Sequence, residues 1–357
     1  MKITFVSSRP SLSGGARVIA IYADRLQARG HDVTVVAPRI EQPRLPAKIR
    51  ALARGRRLRD YPTRSHYDRL QARFVLADHF GPVRAEDVPE ADVVIATWWE
   101  TAYTVAQMPP DRGRKFYFVQ HHETHNAPNS HIRAGSYHLP LRQIVVADWL
   151  ADVMQTTYGA PRPAVVPNSV DLEFFNAPAR GKQPVPTVAL MYAPTPFKGL
   201  DTSLAALKQV KARMPDLKVR AFGLKPEQRD LPLPSGAEFT LRPPQQAIRD
   251  LYAQSDLYLF GSRSEGFGLP ILEAMACRTP VVATAAGCAP DVIADGRSGH
   301  VVPIDNADAL ADRMMRVLQM DDAGWRAMSS AARGAVAGYS WDAATTRFDR
   351  ALMEGGA

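Results

Sequence analysis

The stretch from Leu257 to Ala276 limits most strongly what this chain can fold into. Leu257-Tyr258-Leu259-Phe260 is a short apolar run, which reads as a buried strand. Pro270-Ile271-Leu272-Glu273-Ala274-Met275-Ala276 sets a proline at a first helical turn and strong helix formers behind it. Between them lie Ser264-Glu265-Gly266-Phe267-Gly268-Leu269, so the order is strand, glycine turn, helix N-terminus. Backbone N–H groups and the helix dipole favour an anion there, and Gly266 and Gly268 permit close approach. Glu265 in the turn and Glu273 on the helix bracket that point. Two glutamates at this spacing are common on solvated helix surfaces. Beside an anion-binding turn they suit a sugar nucleotide, whose phosphates need donors and whose hydroxyls need acceptors.

The same grammar recurs along the chain. Ile3–Val6 reads as a strand, 7–15 as a loop, Ala16–Arg29 as an amphipathic helix stopped by Gly30, and His31–Val36 as a second strand. This opening βαβ unit predicts a parallel sheet. Gly14-Gly15 at the helix start is not a full G-x-G-x-x-G, so the dinucleotide fingerprint is absent. Strands at Asp92–Ala96 and Phe116–Val119 each end in a chemically rich loop. The first is Thr97-Trp98-Trp99-Glu100-Thr101-Ala102, the second Gln120-His121-His122-Glu123-Thr124-His125-Asn126. Ligands of open parallel sheets sit beyond the carboxyl ends of the strands, where both clusters fall. The histidine spacing is not the i, i+4 pair of a helical zinc site, and no metal is expected. Ile144–Ala147 reads as a strand and Trp149–Thr157 as a helix. Residues 177–186 look like a linker on composition. A second series then begins with strand Val188–Tyr192, helix Asp201–Met214 and strand Val219–Phe222.

A chain of 357 residues accommodates two domains of about 150 to 180 residues. Its 46% apolar and 22% charged residues are those of an ordinary globular protein, and no apolar run approaches the roughly 18 residues of a membrane span. The first apolar run is too short for a signal peptide and reads as a strand. Cys277 and Cys288 make no disulfide framework and no metal spacing, so buried free thiols in the cytoplasm are expected. Charge is uneven. From Arg39 to Arg73 there are 11 basic residues against three acids, a surplus equal to the +8 of the whole chain. The helix predicted within it, Ala47–Leu58, carries arginines on most faces. That suits an anionic membrane surface or a polyanionic acceptor. No aromatic-interleaved motif points to nucleic acid.

Glu265-Gly266-Phe267-Gly268-Leu269-Pro270-x-x-Glu273-Ala274-Met275-Ala276, followed by Thr279-Pro280-Val281-Val282-Ala283-Thr284, resembles the retaining glycosyltransferases of family 4. The resemblance implies the GT-B fold: α/β, two Rossmann-like parallel-sheet domains facing a central cleft. Its implied divisions are 1–178 (acceptor side), 179–338 (nucleotide-sugar side) and a helix, 339–357, crossing back. Ala164-Val165-Val166-Pro167-Asn168-Ser169-Val170-Asp171 resembles the family's Pro-Asn-Gly-Val-Asp, with Ser169 for glycine. Lys198-Gly199 matches its Lys-Gly, but Tyr192-Ala193 stand where an arginine is expected; Arg263 or Arg242 would have to compensate. Gln120-His121-His122-Glu123 is similar to the Gln-x-x-Glu of rhamnosyltransferase-like members.

By that resemblance Glu265, Lys198 and a histidine, His121 or His122, carry the chemistry. Glu265 faces the developing oxocarbenium charge and Lys198 neutralises the leaving diphosphate. The donor is held by Gly14, Gly15, Asn168, Lys198, Gly199, Leu241, Arg242, Arg263, Glu265, Gly266, Phe267, Gly268, Leu269 and Glu273, the last on the ribose hydroxyls. Trp98, Trp99, Glu100 and Thr101 face the acceptor. No Asp-x-Asp motif occurs, so no metal cofactor is expected, and retention without a protein nucleophile implies front-face attack. The implied reaction moves a hexose or deoxyhexose from a nucleotide sugar to a glycan or lipid-linked acceptor in cell-surface polysaccharide assembly. The implied location is cytoplasmic, at the inner face of the membrane. The alternatives are a GT-B nucleotide-sugar epimerase and a non-enzymatic membrane- or polyanion-binding scaffold.

Overall fold

The computed structural model describes residues 1–55, 58, 64–124 and 129–354. Arg56, Arg57, Arg59 and Asp60 of the basic segment, and His125 and Asn126 of the histidine loop, lie outside the described residues. The chain divides into two compact units. One comprises Met1–Val166 with Asp342–Ala357, the other Pro167–Trp341.

The first unit is built on seven parallel strands: β1 Lys2–Val6, β2 Asp32–Arg39, β3 Arg73–Phe80, β4 Val93–Ala96, β5 Arg114–Val119, β6 Arg142–Val145 and β7 Ala164–Val165. Their order is β3-β2-β1-β4-β5-β6-β7. Strands covered on both faces read as continuous apolar runs, and Val93–Ala96 is buried throughout. The first helix is Gly14–Ala28, two residues earlier than its apolar spacing indicates. Ser13 caps it, accepting from the Ala16 N–H at 3.3 Å, so Gly14 and Gly15 form its first turn instead of a loop.

The last helix, Trp341–Glu354, completes this unit's core. Phe348 is fully buried, stacked on Tyr22 with ring centroids 4.5 Å apart and edge-on to Phe118 at 5.1 Å. Arg29 donates to the Asp342 carbonyl at 2.8 Å and Arg114 to the Leu352 carbonyl at 2.7 Å.

The second unit has six parallel strands: β8 Thr187–Met191, β9 Lys218–Gly223, β10 Glu238–Leu241, β11 Leu257–Phe260, β12 Val281–Thr284 and β13 Gly299–Val302. Their order is β10-β9-β8-β11-β12-β13. Both sheets reverse direction of growth once, between β1 and β4 and between β8 and β11, and loops at such switch points gather ligands.

Residues 167–178 belong to the second unit, because Phe175 packs on Tyr252 and Arg278 donates to the Ala177 carbonyl at 3.1 Å. Residues 177–186 are pinned and do not behave as a linker. Arg180 lies 4.4 Å over the Trp325 ring and donates to the Ala253 carbonyl, while Lys182 caps the Leu318 and Met320 carbonyls at 2.7 Å. The helix of the basic segment runs only Leu45–Ala53, ending where Gly55 turns to φ +68°. None of its residues is buried.

Candidate active site

In the second unit the loops following β8 and β11 are fastened backbone to backbone. Gly199 has φ +55°, and a Cβ there would stand 1.9 Å from the Gly261 carbonyl oxygen. The N–H groups of Arg263 and Ser264 both donate to the Phe197 carbonyl, at 2.8 and 3.1 Å. Gly199 thus serves close packing of the loops. A third loop, after β12, backs them: the Cys288 N–H donates to the Phe267 carbonyl at 2.7 Å, and a Cβ on Gly287 would meet that oxygen at 2.3 Å.

This fastening brings together two residues far apart in sequence. Lys198 Nζ donates to both Glu265 carboxylate oxygens, at 2.7 and 2.8 Å, and Ser262 Oγ donates to the same carboxylate at 2.7 Å. Glu265 is 7% exposed and Glu273 5%, so neither is the solvated glutamate that their spacing alone would suggest. Burial first, then the charges of Glu273 and Glu265, push the Tyr258 hydroxyl far above its usual range.

Beyond Glu265 the helix Leu269–Ala276 begins, with Gly268 at φ +96° as its cap and Pro270 in its first turn. No side chain caps it. The N–H groups of Phe267, Gly268 and Leu269 have no acceptor among the described residues. Orphan donors at a helix N-terminus beside a lysine form an electropositive cradle.

The remaining donor-side expectations divide. Arg263, one of the two residues expected to compensate for the missing arginine, is engaged within its own unit. Its five N–H donors go to Asp305, the Pro196 carbonyl, both Asp201 carboxylate oxygens and Thr202 Oγ1. Those bonds raise the Arg263 pKa and depress that of Asp201, marking a structural tie. Tyr192, in the arginine's place, is buried and holds the Leu231 carbonyl and the Gln228 N–H, each at 2.8 Å. Arg242 stands exposed at the end of β10 at φ +53°, beside Leu241, which is 46% exposed. Asn168 is buried, with Oδ1 unbonded among the described residues.

In the first unit, the helix start after β1 and the loops after β4 and β5 form the corresponding cluster. A Cβ on Gly14 would meet open space, and one on Gly15 the Gln120 side chain at 3.6 Å. Thr101 is a capping residue and not a surface contact: its hydroxyl accepts from the Thr97 and Trp98 N–H groups at 3.0 Å. Trp98 and Trp99 are half-buried and Glu100 is exposed; Arg133 stands 5.5 Å over the Trp99 ring. His122 Nε2 lies 2.7 Å from the Tyr158 hydroxyl and 3.1 Å from Thr124 Oγ1. Tyr137 OH bonds the His121 carbonyl and the Glu123 N–H. Burial raises the Glu123 carboxyl far above the carboxylate range, with Arg133 opposing more weakly, and its Oε2 has no partner among the described residues. Asp78, His79 and Asp87 converge elsewhere in this unit, where His79 already pairs with Asp87 at 2.9 Å.

Ser262, Gly261, Gly287 and Arg133 escaped the sequence reading. Their roles depend on loops that adjoin only after folding.

Two parallel α/β units with their chemistry at the switch points define the GT-B class. Solved structures agree at the level of fold. Sucrose-phosphate synthase from Thermosynechococcus elongatus has a TM-score of 0.76 at 17% identity, covering 99% of this chain and 98% of that one. The Anabaena protein HepE, solved with UDP and glucose, has 0.76 at 17%, covering 99% and 100%. The Glycosyltransferase Family 4 model matches residues 12–174, and that for glycosyl transferases group 1 matches 177–334. The chain belongs to these family 4 glycosyltransferases. Among curated relatives, the D-inositol 3-phosphate glycosyltransferase of Mycobacterium avium is 33% identical over 215 residues, 53% of this chain and 50% of that protein. The sulfoquinovosyl transferase SQD2 of Arabidopsis thaliana is 34% identical over 154 residues, 42% and 30%. The chain spans about half, or less, of the length of the curated relatives it matches.

Proposed function

We propose that the protein transfers a sugar from a nucleotide-sugar donor to a saccharide acceptor, with retention at the anomeric carbon and without a metal ion. The observation that carries this reading is the Lys198–Glu265 contact beside unsatisfied N–H groups at a helix N-terminus. In this reading the diphosphate takes the N–H groups of Phe267, Gly268 and Leu269 and draws Lys198 from Glu265. The freed carboxylate then accepts from a donor-sugar hydroxyl and faces the positive charge developing at the anomeric carbon. Positioned charge of this kind contributes several kcal/mol to a transition state. Glu273 takes the ribose hydroxyls. Lys198 and the helix dipole do the work that a divalent cation does elsewhere. Trp98, Trp99 and Glu100 offer aromatic faces and a carboxylate to a saccharide acceptor.

The Gln120–Glu123 stretch favours a deoxyhexose or hexose donor, and cytoplasmic assembly of cell-surface polysaccharide is the setting we infer. The names of relatives such as the O-antigen chain mannosyltransferase B of Escherichia coli support that direction. The experiment is a thermal-shift panel of UDP, GDP, dTDP, ADP and their sugars, with and without EDTA. Saturation at 100 times the dissociation constant adds about 2.7 kcal/mol, so one base should raise the melting temperature with EDTA present. Stabilisation by no nucleotide would overturn the donor assignment, and stabilisation abolished by EDTA the metal independence. The product's anomeric proton coupling by NMR tests retention.

A further inference from the structure

The helix Leu45–Ala53 is built the wrong way round for a helix of a globular unit. Leu45, Ile49 and Leu52 recur at i, i+4 and i+7, which places them on one face. Such a stripe ordinarily packs on a core. Here Leu45 is 69% exposed, Ile49 61% and Leu52 67%, and no residue of the helix is buried. Arg44, Arg50 and Arg54 project away from that stripe, and Lys48 borders it. Arg44 reaches Glu41 at 3.3 Å, whereas Arg50 and Arg54 have no acidic partner among the described residues. The helix also lies within the segment that carries the chain's whole charge surplus.

We propose that this helix seats the protein on an anionic lipid surface. The Leu45–Ile49–Leu52 stripe enters the headgroup–acyl boundary, and the surrounding cations neutralise the headgroups. Charge complementarity selects this occupant. An apolar stripe alone would suit any hydrophobic partner and a basic patch alone any polyanion, but the two on one short helix match an anionic interface. The inference does not rest on sugar transfer, and its readout is independent of any donor or acceptor.

The test is flotation of the full chain with phosphatidylglycerol–phosphatidylcholine vesicles and with pure phosphatidylcholine vesicles, at low and high salt. Binding is expected to the anionic vesicles only. Replacing Leu45, Ile49 and Leu52 together by Gln, a good helix former, should abolish it at every salt concentration, with circular dichroism and melting temperature unchanged. Arg50→Gln with Arg54→Gln should weaken low-salt binding by about thirtyfold, about fivefold per charge, with little effect at high salt. Equal binding to neutral vesicles would overturn the proposal. So would wild-type vesicle binding by the triple glutamine variant. Binding of the wild type to RNA or heparin, unchanged by the glutamines and with no vesicle binding, would make the helix a polyanion site instead. Loss of a concentration-dependent dimer in the glutamine variant, again without vesicle binding, would make it a self-association face.

Discussion

Glu265 illustrates how much a single side chain here depends on its company. Lys198→Ala leaves a carboxylate at 7% exposure with Ser262 alone. The expected loss is about 1–3 kcal/mol, below the 3–5 kcal/mol of a wholly buried pair because Lys198 is partly solvated. Glu265→Gln should retain the fold and abolish turnover. A double-mutant cycle with urea denaturation measures the coupling, which the reading requires to be clearly favourable. Glu123 makes a separate prediction. Its folded carboxyl holds a proton that the unfolded chain releases once pH exceeds the ordinary glutamate range, so it opposes folding increasingly as pH rises toward the folded pKa. Glu123→Gln should therefore raise the melting temperature at pH 8 and leave it unchanged at pH 4. A gain equal at both would refute the buried neutral carboxyl. Neither environment is visible in the sequence. Lys198 and Arg263 are both basic residues in loops, yet one meets a single carboxylate while the other spends every N–H on Asp201, Asp305, Thr202 and Pro196.

Among elements, the strand–turn–helix from Leu257 to Ala276 was legible because its signals are local: an apolar run, glycines, a proline at a helix start. The loop-to-loop fastening was not, since it joins Gly199 to Gly261. It gives a sharp test. Gly199→Ala combines positive φ with a backbone collision, and about 2–4 kcal/mol of destabilisation is expected. Gly159→Ala has a similar φ of +65° and open space around it, and should cost about 1 kcal/mol. Equal losses in thermal melts would deny the collision any weight. The helix Leu45–Ala53 shows the reverse limit: periodicity reveals an apolar stripe but not whether a core awaits it.

For the whole chain, alternating strands and helices were enough for two parallel sheets, while composition says nothing of how the residues between them are held. Pro-rich, glycine-bearing residues 177–186 look unstructured until Arg180 meets Trp325. The first unit is also discontinuous in sequence, which makes its stability sensitive to residues at the far end of the chain. Phe348→Ala should cost about 3–5 kcal/mol, the range for a large aromatic removed from a packed core, and should lower the first unit's unfolding transition and not the second's. A calorimetric trace in which both transitions moved together would contradict the division. That discontinuity imposes an order of birth. On a translating ribosome the sheet from β1 to β7 emerges first, with Tyr22 and Phe118 lacking the ring that covers them. The wedge arrives only after the second unit has been synthesised, roughly 10 to 35 seconds later at about 5–20 residues per second. For that interval a nascent half-molecule carries an open aromatic seam, which is the feature a chaperone holding newly made chains would grip.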